Sequence, residues 1–264
     1  MIDEKGTLAE AYDRFYARYF DVLHASQTDD VEFFRSWADR LGGPALELGV
    51  GTGRVAIPLA AAGHEVWGLE RSQGMLARAR AKLADEEPGT RERLHFVAGD
   101  VRRYDLKRRF ALIYSACNSW EELLTEADRR EALECARRHL APGGVLILDL
   151  SAPDLNRASA TGESTYDRSI PLPPGDMELR IAARIYYDLE NLLVVSDEVH
   201  EIREGGEVLE RIEFSHARAL LEPKRVRGEL ARAGFELTAS MSNYTGRALR
   251  PPSAVAVYVA RPAA

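Results

Sequence analysis

P-A-L-E-L-G-V-G-T-G-R, residues 44–54, decides the fold of this chain, and it is followed by a short apolar segment and the run H-E-V-W-G-L-E, residues 64–70. An apolar strand leads into three glycines at alternate positions and then into a short helix. Glycines at such a junction allow a sharp turn and let a ligand approach backbone N–H groups, because no Cβ intervenes. The second apolar strand ends on the carboxylate of Glu70, which can accept both hydroxyls of a ribose. The pattern predicts a nucleoside-binding site.

The composition limits the kind of protein this is. The chain has 264 residues, 45% of them hydrophobic, which is enough for one large domain or one domain with a substantial insertion. No run approaches the roughly 18 apolar residues of a membrane span, and the charged N-terminus does not resemble a signal peptide. The two cysteines form no C-x-x-C pair, so neither a disulfide scaffold nor a redox site is expected. We therefore expect a cytoplasmic protein, and the net charge of −7 argues against nucleic acid as its partner.

Strand–helix alternation in the first half predicts a parallel sheet covered by helices on both faces. Two helices, over residues 8–23 and 31–41, come first. The predicted strands cover residues 44–48, 64–70, 94–98, 110–115 and 145–150. Ser72 is placed to cap the helix over residues 72–85. An A-P-G-G turn, residues 141–144, stops the helix that precedes the fifth strand.

After residue 151 the pattern changes. Residues 152–176 are rich in Pro, Ser and Gly and predict a surface loop. Three β-like runs with alternating apolar residues follow, over residues 179–187, 191–202 and 207–218. A helix over residues 223–233 and strands over 235–240 and 254–260 then return to the sheet. The predicted fold is therefore α/β, a Rossmann-like, doubly wound, mostly parallel seven-stranded sheet with an antiparallel insertion after strand five.

This organisation divides the chain into four predicted parts. They are an N-terminal helical lid (residues 1–43), a nucleoside-binding core (44–151), an antiparallel β insertion (152–221), and a C-terminal helix with the last two strands of the core sheet (222–264). We expect the insertion to roof an acceptor pocket or to form a homodimer interface.

Several motifs, in this order, resemble the class I S-adenosylmethionine-dependent methyltransferases. The matching segments are L-E-L-G-V-G-T-G-R-V-A-I-P-L-A (46–60), V-W-G-L-E-R-S-Q-G-M-L (66–76), F-V-A-G-D-V (96–101) and L-A-P-G-G-V-L-I-L-D-L (140–150). The G-x-G-x-x-A pattern over residues 51–56 also suits a dinucleotide, so an NAD-dependent oxidoreductase is one alternative. A non-catalytic module that binds S-adenosylmethionine is a second alternative.

The resemblance implies S-adenosylmethionine as the cofactor and indicates which residues bind it. Glu70, where the family normally has Asp, would bind the ribose hydroxyls, and Asp100 the adenine amino group. Arg54 would pair with the cofactor carboxylate, although an exposed helical arginine is an equal interpretation, and Met75 also suits the core. The implied cofactor-binding set is Tyr19, Glu47, Gly49, Gly51, Gly53, Arg54, Glu70, Arg71, Met75, Asp100, Val101 and Ser115.

The acceptor side is predicted from less specific signals. Aromatic residues recur at helical spacing on the first helix, and a face of this kind either packs against the domain or covers the active site. His216 lies on the apolar face of its strand, where a core histidine is the alternative. The substrate-binding candidates are Tyr12, Tyr16, Asn118, Trp120, His216, Arg218 and Tyr244, with His216 and Tyr16 as catalytic candidates. No grouping of His, Asp and Glu has the spacing of a metal site.

The segment after the fourth strand bears on the acceptor. It lacks the Asn/Asp-Pro-Pro-aromatic motif that methyltransferases of planar amide or nucleobase nitrogens often carry at this place. Together with the acidic charge, this favours a small-molecule acceptor, with N-methylation slightly preferred over O-methylation. A neutral amine needs only to lose a proton before it attacks, whereas a hydroxyl needs a base of matched pKa.

Overall fold

Two β-sheets of different construction make up the protein, one of eight strands and one of four. They are seen in a computed structural model in which residues 7–152, 163–172, 175–250 and 253–263 are described. The larger sheet positions the glycine turn, and the smaller sheet faces the N-terminal helical segment.

The N-terminal part is helical, as predicted, but its first segment is not uniform. Residues Leu8–Glu10 (α1) and Ala17–Leu23 (α2) are α-helical, and a π-helical stretch, Ala11–Tyr16, joins them. Stretches of π-helix are rare and often found at functional sites. The helix α3, Asp29–Leu41, follows. We refer to residues 8–23 below as the N-terminal segment.

The core alternates strands and helices up to residue 152. Its elements are β1 (Ala45–Leu48), α4 (Ala56–Ala61), β2 (Val66–Glu70), α5 (Gln73–Ala84), α6 (Pro88–Arg93), β3 (Leu94–Ala98), β4 (Phe110–Ser115), a 3-10 helix (Ser119–Glu122), α7 (Glu126–His139) and β5 (Leu140–Ala152). Ser72 caps α5, because its side chain accepts a hydrogen bond from the N–H of Met75. This confirms the predicted cap.

The second half begins with the four-stranded sheet. Its strands are β6 (Glu163–Leu172), β7 (Met177–Asp188), β8 (Leu193–Glu204) and β9 (Glu207–Ala219). The chain then returns to the large sheet through α8 (Pro223–Arg232), β10 (Phe235–Ser242), β11 (Arg247–Ala248) and β12 (Ser253–Pro262).

The large sheet has the order β11-β10-β12-β5-β4-β1-β2-β3. Strands β5, β4, β1, β2 and β3 are parallel, and β12 runs antiparallel to both of its neighbours, β5 and β10. The predicted Rossmann-like fold is confirmed, with one small edge strand, β11, beyond the seven expected. The order reverses between β1 and β4, and ligands of such sheets bind at the carboxyl ends of the strands beside this point.

Two local predictions were wrong. Residues 163–172, expected in a surface loop, form β6, an edge strand whose residues are nearly all exposed, so no buried alternation marked it in the sequence. The A-P-G-G run is not a turn before the fifth strand but a bulge within β5. The register with β4 shifts there, from Phe110 opposite Leu140 to Leu112 opposite Val145.

The core lies on both faces of the large sheet, because neighbouring strand residues alternate between two apolar clusters. Leu146 and Leu148 pack with α7 and α8 on one face, and Val145 and Ile147 with α3 and α4 on the other. A third cluster joins Phe15 of the N-terminal segment to the four-stranded sheet. Within the described ranges no helix is long and apolar enough to cross a membrane.

Candidate active site

The glycine turn and Glu70 meet at the carboxyl ends of β1 and β2. The N–H of Gly51 donates to Oε2 of Glu70 over 3.0 Å, and the N–H groups of Arg71 and Ser72 donate to its Oε1, each over 2.9 Å. Three backbone donors thus fix this carboxylate at the strand end. Gly51 has a φ of +53°, and a Cβ added there would meet nothing within 4 Å, so open space lies in front of the turn. An acceptor for ribose hydroxyls beside an open glycine turn fits the nucleoside part of S-adenosylmethionine.

Two of the predicted cofactor residues are buried beneath this turn. Glu47 is 3% exposed, and the Tyr114 hydroxyl donates to its Oε2 over 3.0 Å. Burial raises the pKa of Glu47 to about 8, so this carboxyl is largely protonated at neutral pH. Ser115, at the end of β4, is also buried.

Arg54, just after the turn, is not an exposed helical arginine. Its side chain is 12% exposed, and its Nη1 donates to Oδ1 of Asp30 and to the carbonyl of Gln27, over 3.0 and 2.9 Å. Burial alone would lower the pKa of Arg54, but the bonds to Asp30 raise it above the usual range. The pair ties the start of α3 to the glycine turn.

Asp100, at the end of β3, is held by an arginine that the sequence analysis did not single out. Arg102 donates from its backbone N–H and its guanidinium to Asp100, over 2.9 and 2.6 Å, and also to Asp128 over 2.6 Å. These bonds lower the pKa of Asp100. The neighbouring Val101 packs against the main apolar cluster, and Met75 is 2% exposed within the domain.

Four ionisable side chains lie together between the core and the four-stranded sheet, and we call them the His–Glu cluster: Glu122, Glu198, His200 and His216. Nε2 of His216 lies 2.6 Å from Oε1 of Glu122, and Nδ1 of His216 lies 4.0 Å from Oε1 of Glu198. Nε2 of His200 lies 2.8 Å from Oε2 of Glu198. Burial alone would raise the pKa of Glu122 and Glu198, but the hydrogen bonds and the histidines outweigh it, so both are lowered, that of Glu198 to about 2.

Two tyrosines of the N-terminal segment complete this group. The hydroxyl of Tyr12 donates to Glu122 over 3.1 Å, and that of Tyr16 donates to Glu198 over 3.2 Å. Their rings stack with centroids 5.0 Å apart. Both belong to the π-helical stretch, so this stretch presents two hydroxyls to two carboxylates. The structure therefore brings together Tyr12, Tyr16 and His216, three of the predicted substrate-binding candidates.

Other predicted acceptor residues have different surroundings. Trp120 is 3% exposed, and its ring packs in the main apolar cluster. Tyr244 donates to Oδ2 of the buried Asp149 over 2.7 Å, and Arg218 lies 3.6 Å from Glu121. Asn118 adopts the left-handed conformation, with a φ of +58°, just before the 3-10 helix.

The described contacts of Tyr19 are with its own helical segment and the four-stranded sheet, not with the glycine turn. Its ring packs on Phe15 with centroids 5.1 Å apart, and its hydroxyl accepts a hydrogen bond from Arg18 over 2.7 Å. The cluster it joins belongs to the four-stranded sheet. Helical spacing placed it on the same face as Tyr12 and Tyr16, but the π-helical stretch changes which residues share a face.

Glu122, Glu198 and His200 are the residues that sequence reasoning missed. Glu198 and His200 are two positions apart on β8 and so lie on one face, and Ser196 of that face is opposite His216 in the register. Reading both strands together would have placed Glu198, His200 and His216 on one surface. Glu122 had no such signal, because it sits in a short 3-10 helix after β4.

The N-terminal segment is seated directly on the core. The Thr52 hydroxyl donates to Asp21 over 2.7 Å, and Lys82 of α5 contacts the same carboxylate over 2.7 Å. Asp13 accepts a hydrogen bond from the N–H of Gly74 over 3.1 Å. A Cβ at Gly74 would stand 2.1 Å from the carbonyl oxygen of Asp13, so this close approach requires glycine.

Comparison with known proteins agrees with this geometry. A family model described as a methyltransferase domain matches residues 45–144. The structure of the CcbJ methyltransferase from Streptomyces caelestis is 27% identical and covers 96% of this chain and 98% of that one, with a TM-score of 0.80. The glycopeptide N-methyltransferase MtfA is 30% identical over 91% of this chain and 96% of its own, with a TM-score of 0.59, and has been solved with S-adenosylmethionine bound.

A curated relative names a sugar as its substrate. It is a dTDP-3-amino-3,6-dideoxy-alpha-D-glucopyranose N,N-dimethyltransferase of Streptomyces fradiae, 31% identical over 147 residues, which are 56% of this chain and 54% of that protein.

Together, the fold, the glycine turn and these matches define the protein's class. The chain belongs to the class I S-adenosylmethionine-dependent methyltransferases, and S-adenosylmethionine is its cofactor. It is therefore a methyl-transferring enzyme, and the oxidoreductase alternative is not supported. Among the described residues, no group of three or more His, Cys, Asp or Glu side chains is arranged to hold a metal ion.

Proposed function

We propose that this enzyme N-methylates the amine of a small-molecule acceptor, which binds at the His–Glu cluster beneath the N-terminal segment. The observation that carries the proposal is the arrangement of His216 between two carboxylates that also accept the hydroxyls of Tyr12 and Tyr16. Carboxylates with lowered pKa values stay ionised at neutral pH, so they attract an ammonium group.

The chemistry needs an amine that has lost its proton. Bound S-adenosylmethionine supplies an activated methyl group, and Glu70, the glycine turn and Asp100 would hold it. Glu122 binds the acceptor ammonium. Because Nε2 of His216 donates to the ionised Glu122 over 2.6 Å, the released proton is taken up at Nδ1 of His216, the nitrogen that faces Glu198. The tyrosine hydroxyls orient the carboxylates, and the stacked rings of Tyr12 and Tyr16 help to exclude water.

The insertion has a defined part in this proposal. Its inner face contributes Glu198, His200 and His216 to the cluster, which supports the role of a roof over the acceptor. Its outer face carries charges that pair with one another, among them Glu201 with Arg180, Arg203 and Arg211. We favour the roof over the dimer interface on this ground, and we retain the cytoplasm as its proposed location.

The names of relatives support nitrogen as the atom methylated. MtfA is a glycopeptide N-methyltransferase, and the Streptomyces fradiae relative is an amino-sugar N,N-dimethyltransferase. The second of these alignments spans just over half of each protein, so the sugar itself is not carried over.

The proposal is tested with acceptor pairs that differ in one atom. The purified enzyme is incubated with S-adenosylmethionine and an amino sugar, a sugar nucleotide bearing an amine, or a peptide amine, each beside its hydroxyl analogue. With at least one of these amines, we expect the enzyme to form S-adenosylhomocysteine and a product that carries one additional methyl group. Faster methylation of the hydroxyl analogues would contradict the proposal.

The variant E122Q tests the site itself. Since a glutamine is neutral and cannot stabilise an ammonium or a protonated imidazole, we expect kcat to fall about 100-fold with the accepted amine. Affinity for S-adenosylhomocysteine, measured by calorimetry, should change little. E134Q, at an exposed position of α7, is the matched control.

A further inference from the structure

His216 is held between two carboxylates that come from different parts of the chain. Glu122 belongs to the 3-10 helix of the core, and Glu198 to β8 of the insertion. The first is 2.6 Å from Nε2 and the second 4.0 Å from Nδ1. We propose that Glu198 is the positioning carboxylate of His216 and that His200 holds Glu198 in place. This inference rests on the proposed function of His216.

Both oxygens of Glu198 have defined partners. Oε1 accepts the Ser196 hydroxyl over 2.6 Å and faces His216. Oε2 accepts the Tyr16 hydroxyl over 3.2 Å and pairs with Nε2 of His200 over 2.8 Å. A largely buried carboxylate is costly unless it is hydrogen-bonded in this way, and so many partners also fix its orientation.

His200 is the residue whose presence the fold alone does not explain. It is 1% exposed, and its Nδ1 has no hydrogen-bond partner among the described residues. Its ring lies edge-on to Phe15, Tyr16 and Phe214, at centroid distances of 5.5, 5.3 and 5.1 Å. An apolar side chain would fill such an aromatic site without leaving a nitrogen unpaired. Within the described part of the chain, the one polar contact that this imidazole makes is to Glu198, so its role is to orient that carboxylate.

The same strand provides a comparison on its other face. Glu201 of β8 is also buried, but its partners are three arginines of the outer face, and none of them contacts the N-terminal segment in the described contacts. Glu198 instead connects Tyr16 of that segment with His216. Glu201 thus stabilises the sheet, while Glu198 links the N-terminal segment to His216, the proposed proton acceptor.

Several charged groups surround the His216 imidazole. Glu122 and Glu198 face its two nitrogens, and Tyr12 lies edge-on to its ring with centroids 6.2 Å apart. Farther groups act through these two acids. They are Arg71, which is 3.9 Å from Glu122, and Tyr16 and His200, which bond to Glu198. Arg218, on the same strand as His216, pairs with Glu121.

The inference is tested by NMR on histidine-labelled enzyme bound to S-adenosylhomocysteine. Because a negative charge near an imidazolium favours the protonated form, E198Q should lower the midpoint of the His216 titration by about 1 pH unit. H200F should lower it by less, and H200Q, which keeps a donor towards Glu198, should restore most of the wild-type value. E213Q, on the outer face of β9, is the matched control and should leave the midpoint unchanged.

A second readout separates positioning from stability. With an accepted amine, E198Q should reduce kcat about tenfold, leave the acceptor KM within about twofold and move the acidic limb of the pH–rate profile to lower pH. An unchanged His216 midpoint in E198Q, or an equal change in E213Q, would overturn the inference. If E198Q fails to fold, S196A, which removes one donor to the same carboxylate, should give a smaller change in the same direction, and no change would overturn it.

The two proposals fail in distinguishable ways. A shifted midpoint without methylation of any amine would contradict the proposed function, because the coupling between Glu198 and His216 is measured without an acceptor. Methylation of an amine with no shift in either variant would leave the function standing and contradict the positioning role.

Discussion

The two sheets place their functional groups by different means. In the parallel sheet, the predicted ligand-binding atoms are mainly backbone N–H groups and the acids at strand ends, Glu70 and Asp100. In the antiparallel sheet they are side chains in the middle of strands, such as Glu198 and His216, which act only with partners from elsewhere. The cofactor half is therefore defined by local spacing, and the acceptor half by pairing between distant segments.

The two faces of the antiparallel sheet sharpen this comparison. Outer-face charges pair within the sheet, while inner-face charges pair with the core and with the N-terminal segment. A surface network of the first kind contributes to stability, and an arrangement of the second kind places groups where a ligand can meet them.

The largest expected effect is a loss of cofactor affinity, with the proposed acceptor site left unchanged. In E70A the acceptor of the ribose hydroxyls is lost, and hydrogen bonds to a charged group are worth roughly 1.5–3 kcal/mol each, so affinity for S-adenosylhomocysteine should fall about 100-fold. Titration calorimetry measures this. E236A, at an exposed position of β10, should bind normally, and near-normal binding by a folded E70A would refute the predicted role of Glu70.

The next effect concerns stability beneath the glycine turn. The folded-state pKa of Glu47 is about 8, above the unfolded value of 4.5, so the folded protein holds a proton that the unfolded chain has lost between these pH values. Stability contributed by this proton is complete below about pH 4.5 and is lost as the pH rises towards 8. The wild type should therefore lose roughly 5 kcal/mol of unfolding free energy relative to E47Q across this window.

Urea unfolding of both proteins at several pH values measures that difference. E47Q keeps an acceptor for the Tyr114 hydroxyl, so the comparison isolates the proton. A difference that stays constant with pH would show that Glu47 is ionised in the folded protein.

A smaller effect, on acceptor kcat/KM, tests the contact of the N-terminal segment with Gly74 of the core. In G74A the new Cβ would stand 2.1 Å from the Asp13 carbonyl oxygen, so the segment must shift and carry Tyr12 and Tyr16 with it. We expect kcat/KM for the acceptor to fall about tenfold through lost alignment. G228A is the matched control, since the atom nearest its new Cβ belongs to the flexible Arg232 side chain. Equal activity of both variants would show that this close contact is not needed for methyl transfer.

The smallest effect concerns an exposed pair between the same segment and the sheet. Arg18 and Glu210 are 2.6 Å apart, but their side chains are 53% and 40% exposed. Such pairs contribute less than about 1 kcal/mol, so E210Q should change the unfolding free energy by no more than that. Denaturant unfolding at low and high salt measures it, and a larger, salt-independent loss would mean that this pair anchors the segment.

The sequence predicted the parallel core because each of its signals is local. Alternating glycines, strand-end acids and the Ser72 cap all act within a few residues of their partners. It missed β6 because an exposed edge strand has no buried face to leave an alternating pattern. It identified His216 but neither Glu122 nor Glu198, because those contacts join residues 94 and 18 positions away. Trp120 was placed by its position after β4, and its burial depends on packing that no motif records.

The contacts of the N-terminal segment have a consequence for the catalytic cycle. The segment touches Thr52 at the glycine turn, Gly74 on α5 and Glu122 of the His–Glu cluster, so a single helical element contacts both the predicted cofactor site and the proposed acceptor site. We expect S-adenosylmethionine to enter and leave only when at least one of these three contacts opens. We therefore expect ordered sequential kinetics, in which the methyl donor enters first and the demethylated nucleoside departs last, at a rate set by the opening of this one element.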